Sequence, residues 1–146
     1  MRLWKHALDF FEAARWVHEE RSDRPFIITY FLLGQSLELA LKAFLRGKGQ
    51  TKEFLKAVGH DLMTAVEESQ RVDLGTLITL DPQERSTIGF LNNLYASKDL
   101  QYPESGSKHY PPIVEVFKVA RRVLESTKTF CIENRKRHFD KPTAVL

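Results

Sequence analysis

The segment that most constrains the fold runs from Phe26 to Leu45, where apolar residues occupy almost every position. Its polar residues Gln35, Glu38 and Lys42 fall within a sector about 60° wide when successive residues are placed as in an α-helix. The pattern predicts a helix from Pro25 to Arg46 that is surrounded by other elements and keeps one narrow polar stripe. The polar residues also make the segment a poor membrane span, so we predict a cytoplasmic protein.

The rest of the chain also has helical periodicity, interrupted by turn and capping signals. No segment alternates with the period of two that a strand requires. We predict helices over approximately Arg2–Glu20, Pro25–Arg46, Thr51–Val58, Asp61–Arg71, Asp81–Ser97 and Pro111–His138. The 146 residues suit a single all-α domain over residues 1–138, followed by a short tail over residues 139–146.

Two stretches of the sequence follow one another in an order that is typical of a known family. The first is FLLGQSLELALKAFLRGKG, with GHDL at Gly59–Leu62 after a short gap, and the second is IGFLNNLYASKDLQYPE, which begins at Ile88. Together they resemble the HEPN family (higher eukaryotes and prokaryotes nucleotide-binding). The resemblance implies an antiparallel up-and-down bundle of four long helices plus one short helix. It also implies a homodimeric binding module that engages a nucleotide, RNA or a minimal nucleotidyltransferase, in some members as part of a toxin–antitoxin pair.

Other members of this family are ribonucleases in which an Arg is followed, after four to six residues, by a His. In this chain the nearest pairs are Arg15 with His18 and Arg135 with His138, each separated by only two residues. In RNA cleavage such a His would serve as general acid or base, and the Arg would stabilise charge on the phosphate. A metal-independent endoribonuclease using His138, Arg135 or His60 is therefore an alternative, and a structural dimer without a ligand is another.

Candidate residues for a nucleotide or RNA surface lie mainly in the last predicted helix and the loop before it. Seven Lys or Arg and three Glu occur between Pro111 and His138, although the whole chain carries a net charge of only +3. The loop from Lys98 to Tyr110 mixes aromatic and cationic residues, which suits base stacking and phosphate contact. The alternatives are a solvated helix face and a plain connecting loop. The candidates are Lys42, Tyr102, Lys108, His109, Arg121 and Arg122.

Three polar residues are predicted to have structural roles. Glu38 and Lys42 have the four-residue spacing of a helical ion pair, which would fix helix packing or a dimer seam, unless Lys42 instead faces a phosphate. Asp61 is placed to cap the following helix, next to His60 at a helix N-terminus that favours anions. The five His have no spacing typical of metal ligands and Cys131 is the only cysteine, so we predict no metal site and no cofactor.

Overall fold

The computed structural model describes residues 2–21, 27–96 and 110–140, with side chains of the last helix described as far as Asn134. Within these ranges the chain is all-α and forms no strand, which confirms the predicted fold class. The helices are α1 (Leu3–Glu20), α2 (Ile27–Gly47), α3 (Lys52–Val58), α4 (Leu62–Arg71), α5 (Pro82–Ala96) and α6 (Ile113–Asp140), with a 3₁₀ turn at Leu74–Thr76.

These six helices match the six segments predicted from the periodicity to within a few residues at each end. The bundle implied by the family resemblance, with four long helices and one short helix, has one element fewer. The difference lies in α3 and α4, which have seven and ten residues, whereas each other helix in the described part of the chain has at least fifteen. Most of the loop predicted at Lys98–Tyr110 lies outside the described residues.

Helix α2 is the centre of the fold and packs against α1, α3, α4, α5 and α6. Leu33, Leu37 and Leu41 are almost completely inaccessible to solvent. Among the described helices α2 alone is long and apolar enough to cross a membrane, with a mean hydropathy of 1.3, yet 61% of that window is buried inside the fold. Most of this helix is therefore buried against its neighbouring helices.

Long-range hydrogen bonds join α1 both to the central helix α2 and to the outer helix α6. The Trp4 indole N–H of α1 donates to the Leu124 carbonyl of α6 at 3.1 Å. The Ser36 hydroxyl of α2 donates to the Ala7 carbonyl at 2.7 Å. Because such bonds satisfy polar groups inside an apolar core, they fix how α1 lies on its neighbours.

The turn between α3 and α4 is fixed by backbone conformation and a cap. Gly59 ends α3 with a φ of 63°, a conformation that glycine adopts without the Cβ clash of other residues. Asp61 then caps α4, because its carboxylate accepts the Thr64 backbone N–H at 3.1 Å. The capping role predicted for Asp61 is confirmed, and the turn places His60 beside α2.

Candidate functional site: the Glu38 cluster

A buried carboxylate on α2 gathers polar side chains from three parts of the chain. Glu38 is 4% exposed, and its Oε1 accepts hydrogen bonds from the Tyr95 hydroxyl and from the His60 Nδ1, both at 2.8 Å. Its Oε2 accepts from the Lys42 Nζ at 3.0 Å. We call these four residues the Glu38 cluster.

Local structure explains why these side chains meet. Glu38 and Lys42 are one turn apart on the polar stripe of α2, and Tyr95 reaches them from near the end of α5. The ring of Tyr95 lies directly against Gly34, where an added Cβ would come within 2.5 Å of the Tyr95 Cδ1. Glycine at position 34 is therefore what lets α5 approach closely enough for the hydroxyl to reach Glu38.

The Glu38 carboxylate is held by three hydrogen-bond donors. Burial, and next the nearby Glu38 carboxylate, raise the pKa of the Tyr95 hydroxyl well above its ordinary value, so this hydroxyl stays protonated and donates. A buried carboxylate needs such partners, because an unpaired buried charge is costly. Lys42 is itself buried and bonded to Glu38, so the geometry favours the structural role predicted for this pair over direct phosphate contact.

His60 differs from the other members because its side chain is 67% exposed. When Nδ1 donates to Glu38, the Nε2 of a neutral imidazole is an acceptor, and protonation turns it into a second donor. The cluster therefore presents to solvent an oriented imidazole that can bind an anion or exchange a proton. No group of three His, Cys, Asp or Glu residues suited to a metal ion occurs anywhere in the described part of the chain.

Next to His60, the N-terminus of α4 is already occupied by protein groups. The Asn92 side chain donates to the Asp61 carboxylate at 3.0 Å and accepts the Leu62 backbone N–H at 2.8 Å. Burial would raise the pKa of Asp61, but hydrogen bonds from the Thr64 N–H and the Asn92 amide outweigh it and hold this pKa below its usual value. An ionised Asp61 therefore fills the position that an anionic ligand would take at this helix end.

Two cationic candidates, Arg121 and Arg122, lie on the described part of α6. Neither forms a hydrogen bond with the Glu38 cluster. Arg122 forms an ion pair with the buried Glu84 carboxylate, which raises the pKa of the Arg122 guanidinium. Arg121 is exposed, with its guanidinium 5.5 Å from the centre of the Phe11 ring. Of the two, Arg121 is the more accessible to an external anion.

The remaining candidates fall where the structure gives no side-chain description. Tyr102, Lys108 and His109 lie outside the described residues. Arg135 and His138 belong to α6, but their side chains are outside the described part. Their predicted roles in RNA binding and cleavage stay predictions.

Sequence reasoning missed two polar contributors to this region. Neither Asn92 nor Tyr95 was among the predicted site residues. Both occur in the LNNLY stretch, and their three-residue spacing places them on one face of α5. That spacing indicates that the two side chains share a face of α5, but it does not indicate that their polar atoms reach Asp61 and Glu38.

Comparison of the chain with protein-family models, with curated proteins and with solved structures gave no significant match. The resemblance to the HEPN family therefore depends on the residues quoted from the sequence. Several of these residues meet in space, since Gly34, Glu38, His60, Asn92 and Tyr95 all belong to the quoted stretches and contribute to one polar region.

Proposed function

We propose that this chain is a HEPN-type binding module that engages RNA or a nucleotide through the exposed imidazole of His60. The observation that carries the proposal is the contrast within the Glu38 cluster. Its carboxylate is buried and fully engaged, whereas His60 projects two-thirds of its side chain to solvent. An imidazole fixed in this way offers a phosphate a donor of defined direction when its Nε2 also carries a proton, because the buried carboxylate restricts the ring.

The loop that follows α5 supplies the neighbouring contacts in this proposal. Helix α5 ends at Ala96, one residue after Tyr95, so the chain enters the predicted loop beside the cluster. Tyr102, Lys108 and His109 would then provide base stacking and phosphate contacts, with Arg121 as a further exposed cation.

The test is the binding of a fluorescein-labelled, single-stranded RNA of 12 nucleotides, followed by fluorescence anisotropy. We expect His60→Gln to weaken binding about two- to fivefold, the effect of losing one exposed polar contact. Raising the salt concentration should weaken binding in the wild type, since phosphate contacts release counterions.

The matched control is His6→Gln, which changes an exposed His of α1 outside the cluster. Its affinity for the RNA should equal that of the wild type. Equal affinity of the His60 and His6 variants, or binding that is indifferent to salt, would contradict the proposal. Binding to a protein partner without RNA would then be the leading alternative.

A second candidate function is the endoribonuclease, because a His oriented by a buried carboxylate is the usual arrangement of a general acid–base group. Cleavage would also need a cation to stabilise the phosphate transition state. Lys42 is bonded to Glu38, and no described Arg contacts His60, so we rank cleavage below binding. Labelled RNA cut by the wild type and by His138→Ala, but not by His60→Gln, would reverse this ranking. Loss of cleavage in His138→Ala would place the reaction at the end of α6.

We further propose a cytoplasmic homodimer that pairs with a minimal nucleotidyltransferase, as the family resemblance implies. Exposed apolar side chains support an interface, since Val114 is 68% exposed and Phe90 is 52% exposed. Sedimentation velocity at micromolar concentration should give the mass of a dimer. A monomer mass over that range would reject self-association. A dimer that binds neither RNA nor a nucleotidyltransferase would favour the purely structural role.

A further inference from the structure

A cleft lies near the C-terminal end of α2. There the start of α1, the end of α2 and the later part of α6 meet. Its volume is about 170 Å³, and its apolar walls come from Trp4, Ala43, Cys131 and Ile132. This is close to the size of a dry apolar cavity of about 150 Å³ that accepts one benzene molecule. The cleft can therefore hold one ring or a short alkyl chain.

The described charged residues that line this cleft have a single sign. Arg2, Lys5 and Arg46 contribute to the lining, and no described Asp or Glu does. The ammonium group of Lys128 lies 6.0 Å from the centre of the Trp4 ring, adding a further cation nearby. The charge of Lys5 is only weakly compensated. Its contact with Asp9, at 3.8 Å, is exposed to solvent and therefore weak.

The interior of the cleft is neutral. Burial raises the pKa of the Cys131 thiol to about 12, although a hydrogen bond with the Thr127 side chain opposes this shift. The thiol therefore stays protonated and behaves as a small apolar group. The indole N–H of Trp4 already donates to the Leu124 carbonyl, so what Trp4 adds to the wall is mainly apolar ring surface.

We propose that this cleft binds a small amphiphilic anion, with one ring or a short alkyl chain inside and a carboxylate or phosphate on the cationic rim of Arg2, Lys5 and Arg46. Charge complementarity around an apolar space of matching size favours such a ligand. The site is separate from the Glu38 cluster, and its occupation does not depend on the proposed binding of RNA.

Tryptophan fluorescence gives a direct measurement of this binding. The chain has two Trp residues, and the other one, Trp16, is 67% exposed, so Trp16→Phe leaves Trp4 in the cleft as the only reporter. This variant would be titrated with benzoate, octanoate, phenyl phosphate and adenosine monophosphate. Benzyl alcohol and inorganic phosphate would serve as a ring without charge and a charge without a ring.

We expect the amphiphilic anions to change Trp4 emission until the signal saturates. Benzyl alcohol and inorganic phosphate should each bind at least about tenfold more weakly. The order of affinity among carboxylates and phosphate esters then identifies the head group. In the same background, Arg2→Gln combined with Lys5→Gln should weaken binding about tenfold, as expected for two exposed charge contacts. Ala43→Leu should abolish it by filling the cleft.

The matched charge control is Lys118→Gln, an exposed position on α6 about 21 Å along the helix from Ile132. It should bind as the parent does. Circular dichroism of each variant checks that the helices are retained. The proposal is overturned if no anion shifts Trp4 emission at 10 mM, if benzyl alcohol binds as well as benzoate, or if the Lys118 and rim variants lose affinity equally. It is also overturned if folded Ala43→Leu binds normally.

Discussion

Replacing Gly34 by Ala tests the close approach of α5 to the central helix. In an exposed helical position this change would stabilise the fold by about 1 kcal/mol, because alanine is the better helix former. At position 34 the new methyl group would lie 2.5 Å from the Tyr95 Cδ1. The Tyr95 ring must therefore move, and the hydroxyl that donates to Glu38 at 2.8 Å moves with it.

The size of the effect follows from three contributions. Overpacking of a filled core costs about 1–3 kcal/mol, and weakening a hydrogen bond to a charged group costs about 1.5–3 kcal/mol. Subtracting the gain in helix propensity of about 1 kcal/mol leaves a net loss of roughly 1.5–5 kcal/mol in the free energy of unfolding. The structure supplies a matched control in Gly89, an interior residue of α5 where an added Cβ would meet nothing within 4 Å. Gly89→Ala should stabilise by up to about 1 kcal/mol.

Urea denaturation followed by circular dichroism would measure both variants. A double-mutant cycle with Tyr95→Leu identifies the partner, because a smaller side chain at position 95 should remove most of the cost of Gly34→Ala. The reasoning is refuted if Gly34→Ala stabilises the protein as much as Gly89→Ala does. It is also refuted if the cost of Gly34→Ala is unchanged in the Tyr95→Leu background.

Three further predictions concern the core and the polar region. Tyr95→Phe keeps the ring but removes one donor from the buried Glu38, and urea denaturation should show a loss of about 1–3 kcal/mol; an unchanged midpoint would mean that this hydrogen bond contributes nothing. Leu37 is only 1% exposed, so Leu37→Ala should lower the free energy of unfolding by roughly 2–5 kcal/mol. A denaturation midpoint equal to that of the wild type would show that Leu37 is not part of the core. The pKa of Asp61 is lowered in the folded state, so its charge stabilises the fold above the unfolded-state pKa, and this contribution is lost as the pH falls through the folded-state pKa. Asp61→Asn should therefore be less stable than wild type at pH 6, with the gap closing below about pH 4; a gap that is independent of pH would exclude the charge as its cause.

The helices could be predicted from the sequence because their signals are local. Apolar spacing located all six, and Asp61 marked the start of α4 through its side-chain chemistry. The near-continuous apolar surface of Phe26–Leu45 correctly predicted the central position of α2. Four-residue spacing likewise predicted the ion pair of Glu38 with Lys42.

The site was less predictable because it depends on separations across the chain. Tyr95 is 57 residues from Glu38, and nothing in the period of α5 distinguishes a core tyrosine from one that donates to a buried acid. The pairing of Arg122 with Glu84 spans 38 residues, so no sequence pattern indicated that an Arg predicted for a nucleic-acid surface also pairs with an acid of α5. Such partners are set by how helices pack, which local periodicity does not encode.

The burial of α2 has a consequence for biosynthesis. Its covering helix α6 ends about 90 residues after α2 itself ends, and at ~5–20 residues per second the ribosome needs roughly 5–20 s to make that stretch. During this interval the nascent chain carries an apolar helix whose α6-facing side has no partner. Helix α1 is already available and packs on α2, so it shields one side from the start. We therefore expect chaperones that recognise apolar segments to bind the nascent chain after α2 emerges and to leave it once α6 has docked.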